Sequence, residues 1–312
     1  MTSTNKWCHG PCILEASGFS GKSGTSIKTC QAVLTLVQRW RPPVVILENV
    51  RQLLYCRAAD NGNRPVDHID AVMESLGYKG HASILCPRDF GVPQRRKRAW
   101  LVYFMSGAGD PETALSMCLQ FRAQSPELHY FLQPMSVVQW KKRVASRGEN
   151  WRQKLATFKQ SAKITDREMK EAASILEQSP AFHKLTLRCR SNLTITLALA
   201  QKRGHDFRLM PLVLTFDQDV PRSQICPGFA PCLLPSGYYW VAWGSPENHR
   251  PMSGREMFAL QGVGPEEVGA FGLAGLSEPF MRDLAGNAFN AFVCAAVTTS
   301  ALINWAGPEH VI

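Results

Sequence analysis

Four stretches of this 312-residue sequence carry residue types and spacings that can do chemistry. Residues 16–23 read A-x-x-x-x-G-K-S, the loose pattern of a phosphate-cradling loop. Such a loop needs a buried strand feeding it and a helix leaving it, so that backbone N–H groups point at the phosphate. Only a two-residue apolar run precedes Ala16, and the apolar run VVIL is followed by Glu-Asn rather than Asp, so the stretch reads better as a Gly/Ser loop. Cys8, His9 and Cys12 are potential metal ligands, but no second pair stands at zinc spacing, Cys226 and Cys232 included, and no metal site is expected. The run VVIL (44–47) ends abruptly in Glu48 and Asn49. A carboxyl at the C-terminal end of a central strand sits where open α/β sheets bind ligands, or else caps the following turn. Finally, Gln94-Arg95-Arg96-Lys97-Arg98 leads into the apolar run AWLVYF. Arg96 and Arg98 alternate and point to one side of an extended segment. They offer guanidinium forks to a carboxylate, a carbonyl or a phosphate, or else belong to a solvated basic face.

The elements that position these groups follow from the apolar spacing. Ile27, Val33, Leu34 and Val37 predict a helix over 26–40, stopped by Pro42 and Pro43. The run 44–47 suits a buried parallel strand. A helix over about 65–77 and strands at 81–86 and 99–104 complete an α/β pattern. From about 107 to 245 the character changes: 135–178 is basic and helical, and 205–245 is rich in Pro, Gly and aromatics. Ser253 to Glu256 form an S-x-x-E capping box opening a helix, which accounts for Glu256 structurally. Residues 285–304 read as one long apolar-faced helix. Three segments result: 1–106, 107–245 and 246–312.

Composition narrows the function. The formal charge is +10, which suggests a polyanionic partner, most simply nucleic acid. No apolar run reaches the roughly 20 residues of a bilayer span, so no membrane partner is expected. The first residues lack an apolar signal core, so an intracellular location with mostly reduced cysteines is expected, nucleus and cytoplasm both open.

One ordered set ties the candidates together: Pro11-Cys12, Gly18-Phe19-Ser20, Glu48-Asn49-Val50, Gln94 through Arg98, Arg250 with Arg255-Glu256, and Gly286-Asn287-Ala288. Any one of these occurs by chance. Together and in this order they resemble the C5-cytosine-specific DNA methyltransferase family, over about 10–105 and 225–305. The resemblance implies a covalent mechanism with S-adenosylmethionine as cofactor. Cys12 would be the nucleophile, its thiolate adding to cytosine C6 so that C5 becomes enamine-like and takes the methyl group; a base then removes the C5 proton and the thiol leaves. Glu48 would hydrogen-bond N3 and the exocyclic amine, with Arg96 and Arg98 completing the catalytic set. Ser20, Asn49, Gln94 and Arg250 would bind substrate, Arg250 in the segment that supports the recognition region. Asn287 and Ala288 would bind the cofactor at the opening of the last helix. The target base must leave the duplex, at an unstacking cost on the order of a few kcal/mol, and phosphate contacts must hold the distorted strand.

The fold so implied is α/β, a Rossmann-like methyltransferase core with a smaller target-recognition domain over 107–245. The family begins with a strand and a Gly-rich loop, but only ten residues precede Pro11. A core lacking its first strands is therefore expected, with an exposed sheet edge and either poor solubility or a second chain supplying the cofactor-binding half. The catalytic loop departs too: Ile13 follows Cys12 where the family has Gln, and Phe19-Ser20 come several residues late. A displaced nucleophile costs orders of magnitude in rate. Beside a DNA methyltransferase stand an RNA cytosine-5 methyltransferase with the same core, a non-catalytic nucleic-acid-binding or scaffold remnant, and a P-loop nucleotidase.

Overall fold

The computed structural model describes residues 25–55, 64–133 and 150–307, apart from 218, 236, 271, 273 and 274. They group into two units. One comprises the described parts of Met1–Phe90, Lys97–Ala123 and Phe292–Ile312; the other comprises those of Gly91–Arg96 and Gln124–Ala291.

The first unit is a sheet covered on both faces. Strands β1 (Val44–Val50), β2 (Tyr78–Leu85) and β3 (Arg98–Met105) lie in the order β1-β3-β2. Successive side chains of a strand face opposite ways. Ala99, Leu101 and Tyr103 of β3 therefore pack with Leu34 and Val37 of α1 (Thr25–Trp40) and with Val66, Ile69 and Met73 of α2 (Pro65–Ser75). Trp100, Val102 and Phe104 pack on the other face with Ala114, Leu115 and Cys118 of α3 (Pro111–Cys118) and with Val293, Ala296 and Val297 of the last helix, Ala291–Ile303. Burial on both sides is why AWLVYF is continuously apolar. The helix ends obey local chemistry. Pro43 and Pro42 follow Arg41, whose φ of 48° ends α1. Helix α2 starts on Pro65 and ends before Gly77, whose φ of +80° suits the left-handed position a glycine tolerates.

Two expectations change here. The strand at 44–47 runs on to Val50, and it pairs antiparallel with β3, as does β2. An apolar run reports burial but not strand direction, because both directions satisfy the same side-chain alternation. The expected helix over 285–304 is two helices. Asn290 is buried and donates its amide to the Leu260 carbonyl (3.1 Å), and the Ala291 N–H donates to the Gln261 carbonyl (2.8 Å). These bonds draw the chain out of helical register between Asn287 and Ala291. Residues 278–303 match a membrane span in length and composition, but the break falls within them, and Met281, Ala285, Val293 and Val297 lie in the two units' cores.

The second unit is built on an antiparallel sheet ordered β5-β4-β6-β7, with β4 (Leu212–Thr215), β5 (Ile225–Pro227), β6 (Tyr239–Ala242) and β7 (Arg250–Pro251). Among the described residues four α-helices precede it: α4 (Trp151–Ser161), α5 (Asp166–Leu176), α6 (Pro180–His183) and α7 (Leu187–Lys202). Leu212, Leu214, Trp240 and Ala242 face Leu176 of α5 and Leu193, Ile195 and Leu197 of α7. Val213, Tyr239 and Val241 face the other way. They meet Met257 and Phe258 of α8 (Gly254–Ala259), Val268 of α9 (Pro265–Ala270) and Met281 and Ala285 of α10 (Glu278–Asn287). The predicted basic helical stretch contains α4 and α5; its residues 135–149 lie outside the described residues.

Candidate functional site

Glu48 and Arg98 form an ion pair on the first unit's sheet. Glu48 stands opposite Trp100 and Val50 opposite Arg98, so the two charges occupy diagonal positions on one face at the C-terminal end of β1. Oε1 of Glu48 lies 3.1 Å from Nε of Arg98, and the side chains are 19% and 16% exposed. Nη1 of Arg98 also donates to the Lys97 carbonyl at 3.1 Å. A carboxyl and a guanidinium side by side, still reachable from solvent, present acceptor and donor groups to one planar polar edge. Asn49 is exposed, and its Oδ1 accepts from the Val50 N–H at 2.7 Å, closing the strand end.

Arg96 and Gln94 belong to the second unit. The segment 93–95 pairs with Ala230: the Arg95 N–H donates to its carbonyl (2.8 Å) and the Ala230 N–H donates to the Pro93 carbonyl (2.7 Å). Gln94 is fully buried there. Arg96 is 5% exposed, and its Nη1 donates to the carbonyls of Leu233 (2.6 Å) and Gly286 (3.3 Å). The expected sharing of one side by Arg96 and Arg98 gives way to two different sets of partners: backbone carbonyls for Arg96 and the Glu48 carboxylate for Arg98. The glycine at 286 has a packing reason. A Cβ on it would sit 2.3 Å from the backbone of Leu234 and Pro235.

Asn287 therefore closes α10 rather than opening the last helix, with Ala288 as its C-cap. Asn287 is exposed, and its amide donates to the Asp283 carbonyl one turn back (3.0 Å). These residues do not fit a cofactor cradle as arranged: the glycine's space is filled by chain, and the amide is used within its own helix. Cys12 and Ser20, with all of residues 10–20, lie outside the described residues.

Arg250 meets Glu256 in a two-pronged pair, Nη2–Oε1 2.6 Å and Nη1–Oε2 2.8 Å. Glu256 is fully buried. It also accepts from the N–H groups of Ser253 (2.7 Å) and Gln133 (2.9 Å), while Nη2 of Arg250 donates to the Gln133 carbonyl (2.7 Å). The capping box is real, with the Ser253 hydroxyl accepting from the Glu256 N–H. Sequence reasoning stopped at that cap. The six-residue offset of Arg250 matches no helical or strand neighbour rule, so nothing local announced the ion pair.

One further group was missed. His249 is 1% exposed, with Phe207 edge-on to its ring at 4.7 Å, and burial pushes its pKa down to about 4 against the pull of Glu247. Burial likewise raises the thiol of Cys226 to about 12, so it is an inert core residue.

The first unit is thus an α/β arrangement, a sheet sandwiched between helices with a charged pair at the end of β1. The chain belongs to the C-5 cytosine-specific DNA methylase family, whose model matches residues 15–302. It is 36% identical over 89 residues to the type II methyltransferase M.NlaX of Neisseria lactamica, covering 28% of this chain and 26% of that one. It is 32% identical over 87 residues to M.HhaI of Haemophilus parahaemolyticus, covering 28% and 24%. These matches thus span about a quarter of the relatives' own length. Among solved structures, the S. pombe Dnmt2 methyltransferase aligns over 90% of this chain and 74% of its own, at 13% identity and a TM-score of 0.47.

Proposed function

We propose that this chain methylates C5 of cytosine in DNA, with S-adenosylmethionine as the methyl donor. The observation that carries the reading is the Glu48–Arg98 pair at the end of β1, in a chain of the C-5 cytosine-specific family. Glu48 meets the amine and N3 of an extruded cytosine, and Arg98 donates to its carbonyl oxygen. As the Cys12 thiolate adds to C6, negative charge spreads into N3 and that oxygen. A proton from Glu48 and the fixed guanidinium neutralise it, and such pre-set charges need no reorganisation during reaction. Elimination then requires a base for the C5 proton and expels the thiolate. S-adenosylmethionine would supply the methyl group to C5. The basic excess supports phosphate contacts along the flipped strand.

The test is transfer of tritiated methyl from S-adenosylmethionine to a cytosine-containing duplex, with trapping on a 5-fluorocytosine duplex. The expected result is label in DNA and a denaturant-stable adduct, both lost in Cys12→Ser. A folded, DNA-binding chain that yields neither overturns the reading.

A further inference from the structure

A cleft in the second unit has no part in the chemistry above. It encloses about 330 Å³, in the lower range of small-ligand pockets. Val241 and Leu132 line its apolar part, and Gln133, Asn248 and Arg250 bring polar groups to it. Trp243 is 37% exposed on its wall. His129 stacks on Trp243, with ring centroids 5.3 Å apart and planes 28° apart, and Tyr130 lies 4.0 Å from His129. Tyr130 is itself 73% exposed. Three aromatic rings thus line up at the surface beside a cleft.

The walls are held in place. Both backbone groups of Gln133 are engaged, its N–H by Glu256 and its carbonyl by Arg250. The N–H of Gly244, next to Trp243, donates to the Phe207 carbonyl at 3.1 Å. Gln133 and Asn248 also bring side-chain amides to the lining. An amide carries donor and acceptor together, which is what the edge of a nucleobase requires.

We propose that this cleft takes one unstacked nucleobase, a base other than the target cytosine, stacked on Trp243 with its edge toward Gln133 and Asn248. The inference rests on the reading that the chain binds DNA. Aromatic stacking suits the occupant because every base has a π-face, and the amides add edge contacts without charge. A phosphate would instead call for several free cations, and among the described residues Arg250 is the only cation on the wall and is already committed to Glu256.

The experiment compares two labelled duplexes by fluorescence anisotropy at one salt concentration, one fully paired and one with a single bulged 2-aminopurine. The wild-type chain is expected to bind the bulged duplex about tenfold more tightly, within the range of one base–aromatic stack, and to quench its 2-aminopurine. Trp243→Ala is expected to lose both effects while binding the paired duplex as before, and Trp243→Phe to keep part of the preference. Equal wild-type affinity for the two duplexes, or a preference and quench that survive in Trp243→Ala, overturns the proposal alone. Failure of the folded wild-type chain to bind either duplex overturns it together with the DNA-binding reading.

Discussion

Glu48 and Arg98 sit diagonally across the β1–β3 ladder, 3.1 Å apart, because Val50 and not Glu48 is Arg98's register partner. That two-residue offset puts both side chains on the same face, where a shift by one residue would separate them.

Glu48→Gln is therefore expected to lower the single-turnover methyl-transfer rate by about 10²–10³, as for loss of one group stabilising transition-state charge, with duplex affinity little changed. Arg98→Lys keeps the charge and loses the fork, so an intermediate loss is expected. A lysine variant as fast as wild type would remove the fork from the mechanism.

The Arg250–Glu256 pair answers to stability. Removing one partner leaves an uncompensated buried charge, at a cost of about 3–5 kcal/mol. Arg250→Met should approach that loss in urea unfolding, because Glu256 is fully buried. The double variant Arg250→Met/Glu256→Leu should recover part of it. A double variant as unstable as the sum of the two single changes would mean that the charges do not couple.

Gly286→Ala reverses a familiar sign. In an exposed helix, alanine for glycine stabilises by roughly 0.5–1 kcal/mol. Here the added Cβ would meet the Leu234 and Pro235 backbone at 2.3 Å, which cannot swing aside as a side chain could. Destabilisation by about 1–3 kcal/mol is expected, the usual cost of overpacking. A melting temperature raised by the change would refute the close approach.

His249 sets an acid dependence. Its pKa of about 4 in the folded chain lies below the ordinary value of 6.5, so the unfolded chain takes up the proton first. Stability from this group is complete above pH 6.5 and falls as pH drops toward 4, by at most about 3 kcal/mol. Unfolding free energies of the chain and of His249→Gln, measured between pH 4 and 7, should diverge in slope. Parallel slopes would show that His249 does not carry the dependence.

The residues that local rules govern were legible in the sequence. The helix over 25–40, the apolar start of β1, Pro65 opening α2 and the Ser253 cap each follow from neighbours a few positions away. The ordered motifs pointed to the family as well, because chemistry constrains residue type and order directly. The tertiary structure decided what depends on distant segments meeting. An apolar run does not encode whether its partner lies parallel or antiparallel, so β1's direction emerged only with β3. The helical spacing of 285–304 gave no sign of the break that Asn290 makes by reaching the carbonyl of Leu260. Two arginines in Gln94-Arg95-Arg96-Lys97-Arg98 look equivalent on paper. The carbonyls of residues 233 and 286 claim one and a carboxylate 50 residues upstream claims the other, because hydrogen-bond partners are assigned by packing in space and not by position along the chain.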